Sequence, residues 1–327
     1  MQDSYHQAKC MLRHQCHAAT TTTGIIPVRP GTVPVHASRG RQCQRGAREQ
    51  AHLNVHSCPF STRARMHVPH PMSQMNDINR LMEEAGRSYQ AGDLLGAADL
   101  FRQALHVDAS PFAEAARQFV AGFPVQDLSQ FWQAPVELYP AGGEVQDIFA
   151  FIYDRSVWGG GSGAGSNLQV TVPYIGYLRY LMEHHDVRTI VDLGCGDWRF
   201  ARHLDFTGRE YIGYDVVPSV VEANRVAYGA PNIRFEHADA AQVDSLPEAD
   251  LIVCKDVLQH LSNRNVLRVL EKCARARLAL FTNDYHPLNA DCSDGDTRPL
   301  DVSRAPFSLA AGPVLQFGRK VSFLLEQ

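Results

Sequence analysis

Short runs of apolar and β-branched residues recur along the second half of the chain, and each run stops at a glycine, an acid or another polar residue. They cover residues 189–193, 209–214, 233–239, 249–254 and 278–282. Runs of this kind, about 4–8 residues long, are typical of strands that are buried on both faces of a parallel sheet. We therefore expect five neighbouring strands in this part of the chain.

Helical patterns separate these predicted strands. Residues 219–227 form one such pattern and residues 263–276 another, in which Val266, Val269 and Leu270 fall on a common face. Ser262 stands where the N-cap of the second helix is expected. The alternation of strands and helices predicts an α/β fold with a doubly wound, mostly parallel sheet.

The C-terminus predicts a different kind of strand pair. Residues 313–317 and 319–326 are two strand-like segments with Gly318 near the turn between them, which is a hairpin pattern. A hairpin makes one strand antiparallel to the rest of the sheet. We therefore expect seven strands that end in a C-terminal antiparallel hairpin.

A separate helical hairpin is predicted for residues 77–108, with Gly92 and Asp93 at its turn. Its small and aromatic residues resemble one tetratricopeptide repeat in their spacing: Ala85, Tyr89, Gly92, Ala97, Phe101, Ala104, Leu105 and Asp108. No second copy follows, and repeat arrays need about three units to bury a core. Two interpretations stay open, a hairpin packed onto the sheet domain and a module that binds a protein partner.

Residues 1–71 carry nine Arg and Lys against two acids and have no lasting hydrophobic period. A transit peptide is one interpretation; a disordered extension, or upstream sequence read from a start codon set too early, is the other. We therefore divide the chain into this extension, a helical segment at 72–135, a linker and glycine-rich segment at 136–171, and the sheet domain at 172–327.

The charge balance restricts the function classes. Residues 72–327 hold 22 basic and 33 acidic side chains, and a surface of that sign disfavours nucleic acid. The sequence contains no run of about 18 apolar residues, so no membrane span is predicted. The cysteines lack paired metal-ligand spacing, so we expect no metal site, reduced thiols and a cytoplasmic location.

The strongest chemical signal is the turn after the first strand, where Asp192 is followed by Gly194 and Gly196. Alternating glycines let backbone N–H groups approach a ligand closely. A dinucleotide-binding turn needs a third glycine three residues after the second, and Arg199 stands there. The NAD interpretation therefore lacks a required element.

An acid follows the second strand at Asp215, nineteen residues after Gly196, and Asp239 follows the third. A carboxylate at that distance can accept hydrogen bonds from two ribose hydroxyls. Asp239 is placed to meet the exocyclic amine of an adenine. The pattern thus predicts an adenosine-containing ligand.

The turn, the two acids and the C-terminal hairpin together resemble class I methyltransferases that use S-adenosyl-L-methionine (SAM), in particular a bacterial subgroup. Trp198 stands where many members have a third glycine. The resemblance covers roughly residues 150–327. The cofactor contacts that it implies are Asp192, Gly194, Cys195, Gly196, Asp215, Val216, Asp239, Ala240 and Lys255.

Residues 153–167 are too rich in glycine for a core element, yet they include Tyr153, Arg155 and Trp158, which a plain spacer would not need. We expect a lid over the cofactor that excludes water. Trp158 is accordingly a candidate substrate contact.

Candidate acceptor-side residues follow the fourth and fifth strands, whose ends face the ligand crevice in this fold. His260 is a candidate general base because its pKa lies near neutral pH, and Asp256 is a second candidate. Either residue could instead be a polar helix-start residue. Asn283 and Asp284 are candidate substrate contacts at the end of the fifth strand.

Residues 285–312 contain no helical period and many acids, which suggests a long loop that forms the acceptor wall. Arg298 in this loop could hold an anionic or hydroxylated acceptor, or form a structural salt bridge.

Two functions stay open from the sequence. The first is methyl transfer from SAM to a small molecule or saccharide. The second is a non-catalytic protein that senses SAM and recruits a partner through residues 77–108.

Overall fold

The computed structural model describes residues 71–124 and 143–327. The predicted extension lies outside the described residues, apart from its last residue, Pro71. The helices are α1 (Pro71–Gln90), α2 (Leu94–Val107), α3 (Ser110–Gly122), α4 (Val145–Asp154), α5 (Leu168–His184), α6 (Pro218–Tyr228) and α7 (Asn263–Cys273). The strands are β1 (Thr189–Leu193), β2 (Glu210–Asp215), β3 (Ile233–His237), β4 (Leu251–Lys255), β5 (Leu278–Asp284), β6 (Gly312–Phe317) and β7 (Lys320–Glu326).

The seven strands form one sheet in the order β3-β2-β1-β4-β5-β7-β6. The first five run parallel, whereas β7 pairs antiparallel with both β5 and β6. The predicted α/β sheet with its antiparallel hairpin is confirmed. The chain leaves β1 toward β2 on one side and returns on the other side as β4, so a crevice opens beyond the carboxyl ends of β1 and β4.

Both faces of the central strands are buried. Val253 and Leu280 belong to the core on the side of α5, whereas Ile252, Cys254 and Phe281 belong to the core on the side of α4 and α7. Because neither face meets water, these strands are apolar at consecutive positions, which is the pattern that predicted them.

The hairpin of α1 and α2 packs directly onto α5. A Cβ at Gly176 of α5 would lie 2.6 Å from the carbonyl oxygen of Ala98, so the two helix backbones touch there. Phe101 and Leu105 of α2 are buried in the same core as the sheet. Gly92 has a φ of +85°, as its place in the turn requires, and Asp93 accepts the N–H of Gly96 at 2.9 Å. The hairpin is thus part of the described core, and its relation to tetratricopeptide repeats is unconfirmed.

Two helices extend beyond the predicted hairpin. Helix α3 lies within the segment 72–135 that was predicted to be helical, and it packs beside the edge strand β6, where its Ala116 is fully buried. Helix α4 was not predicted. It lies inside the segment predicted to be a linker, and its Ile148, Phe149 and Ile152 are buried against the sheet.

Residues 285–311 form a long loop without a helix, as expected, and its acids cap α7. Asp294 accepts the N–H of Ser262, and Asp291 accepts the N–H of Asn263, each at 2.7 Å. Ser262 is the N-cap residue, but its own side chain makes no capping bond. Carboxylates at a helix N-terminus satisfy free N–H groups and favour the helix dipole.

No helix within residues 71–124 and 143–327 is long and apolar enough to cross a membrane.

Candidate functional site

The glycine turn follows β1 at the point where the sheet order reverses. Gly194 and Gly196 have φ values of +69° and +57°, which favour glycine. The N–H groups of Gly194 and Cys195 both donate to the carbonyl of Tyr214, at 2.8 and 2.9 Å, and so tie the turn to β2. A Cβ at Gly194 would lie 2.4 Å from the Val257 side chain. The turn therefore needs glycine for both its backbone angle and its close packing.

Asp215 at the tip of β2 is buried and holds this turn. Its Oδ2 accepts the N–H of Gly196 at 2.9 Å, and its Oδ1 accepts the N–H of Val217 at 3.0 Å. Burial raises the pKa of Asp215, although these N–H groups oppose that change. A carboxylate has about four acceptor positions, so these N–H groups do not fill it.

Asp192 lies beneath the turn, where it is buried and accepts a hydrogen bond from the Tyr211 hydroxyl at 2.8 Å. Burial raises the pKa of Asp192 to about 7. This acid is therefore partly protonated near neutral pH.

Asp239 lies two residues beyond β3, which pairs with β2 through Asp215 and His237. Its Oδ1 accepts the N–H of Ala241 at 2.8 Å. Val216 and Ala240 are half-buried and pack against the same apolar core. The structure thus brings these predicted cofactor residues to one edge of the sheet.

The glycine-rich segment lies on the glycine turn. Ser162 Oγ accepts the N–H of Asp197 at 2.8 Å and shares a 2.8 Å hydrogen bond with the Tyr153 hydroxyl. A Cβ at Gly196 would meet Ser162 Oγ at 2.1 Å. We call residues 158–166 the lid, since they cover the turn.

The lid also reaches the fourth strand. The ring of Trp158 packs on that of His260 with centroids 4.7 Å apart. Lys255 Nζ donates to the carbonyl oxygen of Gly165 at 2.9 Å. One short segment therefore contacts the ends of both β1 and β4.

Lys255 and Asp256 form a buried ion pair at the end of β4. Burial lowers the pKa of Lys255, whose ammonium also lies over the rings of Tyr174 and Phe200 at 5.9 and 5.4 Å. Burial opposes ionisation of Asp256 too, but Lys255 and Lys320 outweigh it and hold the pKa of Asp256 at about 2. Asp256 is therefore a carboxylate at any pH near neutral.

Lys320 joins two of the predicted site residues. Its Nζ lies 2.6 Å from Asp256 Oδ1 and 2.8 Å from Asp284 Oδ1. Asp284 Oδ2 also pairs with Arg319 at 2.6 Å. We call Lys255, Asp256, Lys320 and Asp284 the ion cluster.

His260 is buried, and burial lowers its pKa, so the imidazole is neutral. Its Nδ1 lies 3.0 Å from the carbonyl of Asp296, an acceptor, which places the proton on Nδ1. Its Nε2 lies 3.3 Å from the Gln259 amide nitrogen, a donor, which leaves the lone pair on Nε2.

Comparison with known proteins supports the resemblance found in the sequence. Residues 190–277, about a quarter of the chain, match the model of a methyltransferase domain family. The sheet order and C-terminal hairpin are those of the class I methyltransferase fold that the sequence predicts.

Solved structures that are similar to this chain include methyltransferases with bound SAM or SAH. Magnesium protoporphyrin IX methyltransferase from Synechocystis PCC 6803 with bound SAH is 17% identical over 55% of this chain and 96% of that chain, with a TM-score of 0.41. Human N-acetylserotonin methyltransferase in complex with SAM is 13% identical over 70% of each chain, with a TM-score of 0.39.

A proposed sarcosine dimethylglycine methyltransferase from Galdieria sulphuraria is 21% identical over 34% of this chain, with a TM-score of 0.30. The match spans 45% of that protein, which is less than half its length. No curated protein is a significant match to this chain.

The remaining predicted residues are largely enclosed by protein. Asn283 is buried, and its Oδ1 accepts the N–H of Gln259 at 3.2 Å. Arg298 is only 1% exposed and donates to the Leu261 carbonyl and the Asn263 amide oxygen, at 2.9 and 2.8 Å. Arg298 thus braces the segment between β4 and α7.

The sequence interpretation missed Lys320, Ser162 and Gln259. Lys320 was detectable as a cation at the start of a mostly apolar strand, and the structure places it directly opposite Asp284. Ser162 and Gln259 gave no signal, since their roles depend on contacts with residues far away or on a loop conformation. In the described part of the chain, no group of three or more His, Cys, Asp or Glu side chains is placed to hold a metal ion.

Proposed function

We propose that the protein is a SAM-dependent methyltransferase, and that it acts on a small-molecule or saccharide acceptor that enters at the carboxyl ends of β4 and β5. The observation that carries the proposal is the separation of two groups of polar residues at one edge of the sheet. Asp215 and the glycine turn lie at β1 and β2, whereas the ion cluster and His260 lie beyond β4 and β5. One half suits the cofactor and the other an acceptor.

The cofactor half has the carboxylate acceptors that SAM needs. The backbone of Gly194, Cys195 and Gly196 would line it, Asp215 would accept hydrogen bonds from the ribose hydroxyls, and Asp239 would meet the adenine amine. SAM supplies a methyl group that is already strongly electrophilic. The chain's own task is therefore to align the acceptor and exclude water.

The lid would perform the exclusion. It touches the cofactor turn through Ser162 and the acceptor half through Trp158 and Gly165. Removing water from a closed site strengthens the electrostatic contacts within it.

Of the two candidate bases, His260 is the better one. Its Nε2 carries the lone pair, which the Gln259 amide occupies in this structure, so an acceptor would take the place of that hydrogen bond. Burial lowers the pKa of His260, which favours the neutral imidazole. Asp256 is held by two ammonium groups and has a pKa of about 2, so it takes up a proton poorly. We assign Asp256 a positioning role. We assign His260 the role of general base, which takes the proton from the acceptor where the acceptor carries one.

The test is transfer of labelled methyl from SAM into a metabolite extract. We expect labelling by the wild type and little by Asp215→Ala at the same SAM concentration. Asp205→Ala is the matched control, because Asp205 is an exposed acid that also accepts a backbone N–H, that of Thr207. SAM binding without any labelled product, across extracts rich in sugars and other metabolites, would contradict turnover and favour a sensing role.

A further inference from the structure

Lys320 is an unusual residue for its place in the fold. It begins β7 opposite Asp284 of β5, and cross-strand pairing aims its side chain toward the acceptor half. The residue is 8% exposed, although lysine is rarely buried without a partner. Burial disfavours its charge, but Asp256 and Asp284 outweigh that effect and raise the pKa of Lys320. A fixed positive charge therefore lies among the ends of β4, β5 and β7.

This charge holds a strained residue in place. Asp256 has a φ of +58°, a conformation that is uncommon outside glycine. Its two carboxylate oxygens contact different cations, Oδ2 with Lys255 and Oδ1 with Lys320. Lys320 therefore fixes the rotation of the Asp256 carboxylate, which Lys255 alone would leave free to turn.

The lid rests on this carboxylate. A Cβ at Gly165 would lie 2.9 Å from Asp256 Oδ2 and 3.6 Å from Lys320 Nζ, so a side chain at this position would displace the Asp256 carboxylate. The Gly165 carbonyl oxygen accepts from Lys255, the other partner of Asp256. The lid thus contacts three members of the ion cluster at one residue.

We propose that Lys320 is a positioning residue of the methyltransferase, because it holds Asp256 and Lys255 in the orientation in which they contact the lid at Gly165. This inference rests on the proposed role of residues 158–166 as a lid over the cofactor. It assigns a site function to a strand residue far from the cofactor turn in sequence.

The test is hydrogen–deuterium exchange of the lid in the full chain, with and without S-adenosylhomocysteine (SAH). In Lys320→Met we expect the amides of residues 158–166 to exchange at least about tenfold faster than in the wild type, while β1 and β2 keep their protection. Lys320→Arg should restore slow exchange because it keeps the charge. Gly165→Ala should act like Lys320→Met, since it blocks the same contact from the lid.

Arg277→Met is the matched control. Arg277 is also a cation paired with a carboxylate, Asp250, but it lies at the opposite end of β4 and β5. We expect lid exchange in this variant to match that of the wild type. Slow lid exchange in a folded Lys320→Met protein would overturn the proposal, as would faster exchange spread evenly over the sheet.

The two proposals fail differently. If SAH leaves lid exchange unchanged in the wild type, the lid does not close over the cofactor, and the proposed function loses that part. The comparison of Lys320→Met with the wild type without SAH tests only the contact between the lid and the ion cluster. Loss of SAH affinity in Lys320→Met but not in Lys320→Arg would support the inference that the contact between the lid and the ion cluster contributes to SAH binding.

Discussion

Individual side chains at this site have two partners where one was expected. Asp215 was predicted to receive ribose hydroxyls, and its carboxylate also fixes the glycine turn through Gly196. Asp256 was predicted as a base, and it bridges two lysines instead of facing the site alone. Acids at strand tips are visible in a sequence, as is Lys255 beside Asp256, but the second cation, Lys320, comes from β7, 64 residues away.

Asp215→Ala should weaken SAM binding at least tenfold. Hydrogen bonds to a charged acceptor contribute about 1.5–3 kcal/mol each, and the turn also loses the bond from Gly196. Calorimetric titration with SAM measures the change, with Asp205→Ala as the control. Unchanged affinity in a folded variant would remove Asp215 from the cofactor site.

His260→Ala should lower turnover by about 10² or more while SAM affinity stays within about threefold. Because burial lowers the pKa of His260 below its usual 6.5, the acid limb of the kcat/KM profile should lie below pH 6.5. The labelled-methyl assay gives the turnover and its pH profile, and calorimetric titration with SAM gives the affinity. His185→Ala, at the far end of α5, is the control. Equal rates in all three proteins would exclude a base at position 260.

Asp192 should make the folded protein less stable as pH rises. Burial raises its pKa from 3.8 to about 7, so the folded state binds more protons than the unfolded state between these values. The free energy of unfolding must then fall with increasing pH in that window. Asp192→Asn keeps an acceptor for Tyr211 and should remove this slope in urea titrations at pH 4 to 7. An identical slope in both proteins would place the titrating group elsewhere.

Among the elements, the parallel strands and the C-terminal hairpin were predictable, whereas α4 was not. Strands buried on both faces leave continuous apolar runs, and β4 is such a run. Helix α4 spans ten residues within a segment that also holds many glycines, so its period was hidden. The lid was predicted from composition alone, but its contacts depend on Ser162 and Gly165 meeting β1 and β4.

The lid should contribute to cofactor retention through Ser162. Ser162→Ala removes its hydrogen bonds with Asp197 and Tyr153, each worth about 1 kcal/mol, so SAH affinity should fall about 5- to 30-fold. Calorimetry with Ser245→Ala, an exposed loop serine, provides the comparison. Tighter SAH binding by Ser162→Ala would mean that the lid competes with the cofactor.

At the scale of the whole molecule, the α1–α2 hairpin shares a core with the sheet through α5. Gly176→Ala should therefore destabilise the protein by about 1–3 kcal/mol, because the new Cβ meets the Ala98 backbone. Gly86→Ala is a matched control in α1, where a Cβ meets nothing within 4 Å and should be neutral or stabilising. Urea unfolding of both variants measures the difference. Equal stability would show that the hairpin separates easily from the sheet.

The contacts of the lid with two strand ends also bear on how fast the enzyme can turn over. In the proposed closed state, SAH leaves only after the Ser162 contact with the turn that follows β1 and the Gly165 contact with β4 have both opened. Lid opening then occurs once in every cycle and displaces solvent as it moves, and such steps often limit kcat. The kcat should consequently fall in proportion to solvent viscosity when sucrose is added. If methyl transfer limited the cycle, kcat would not change with viscosity.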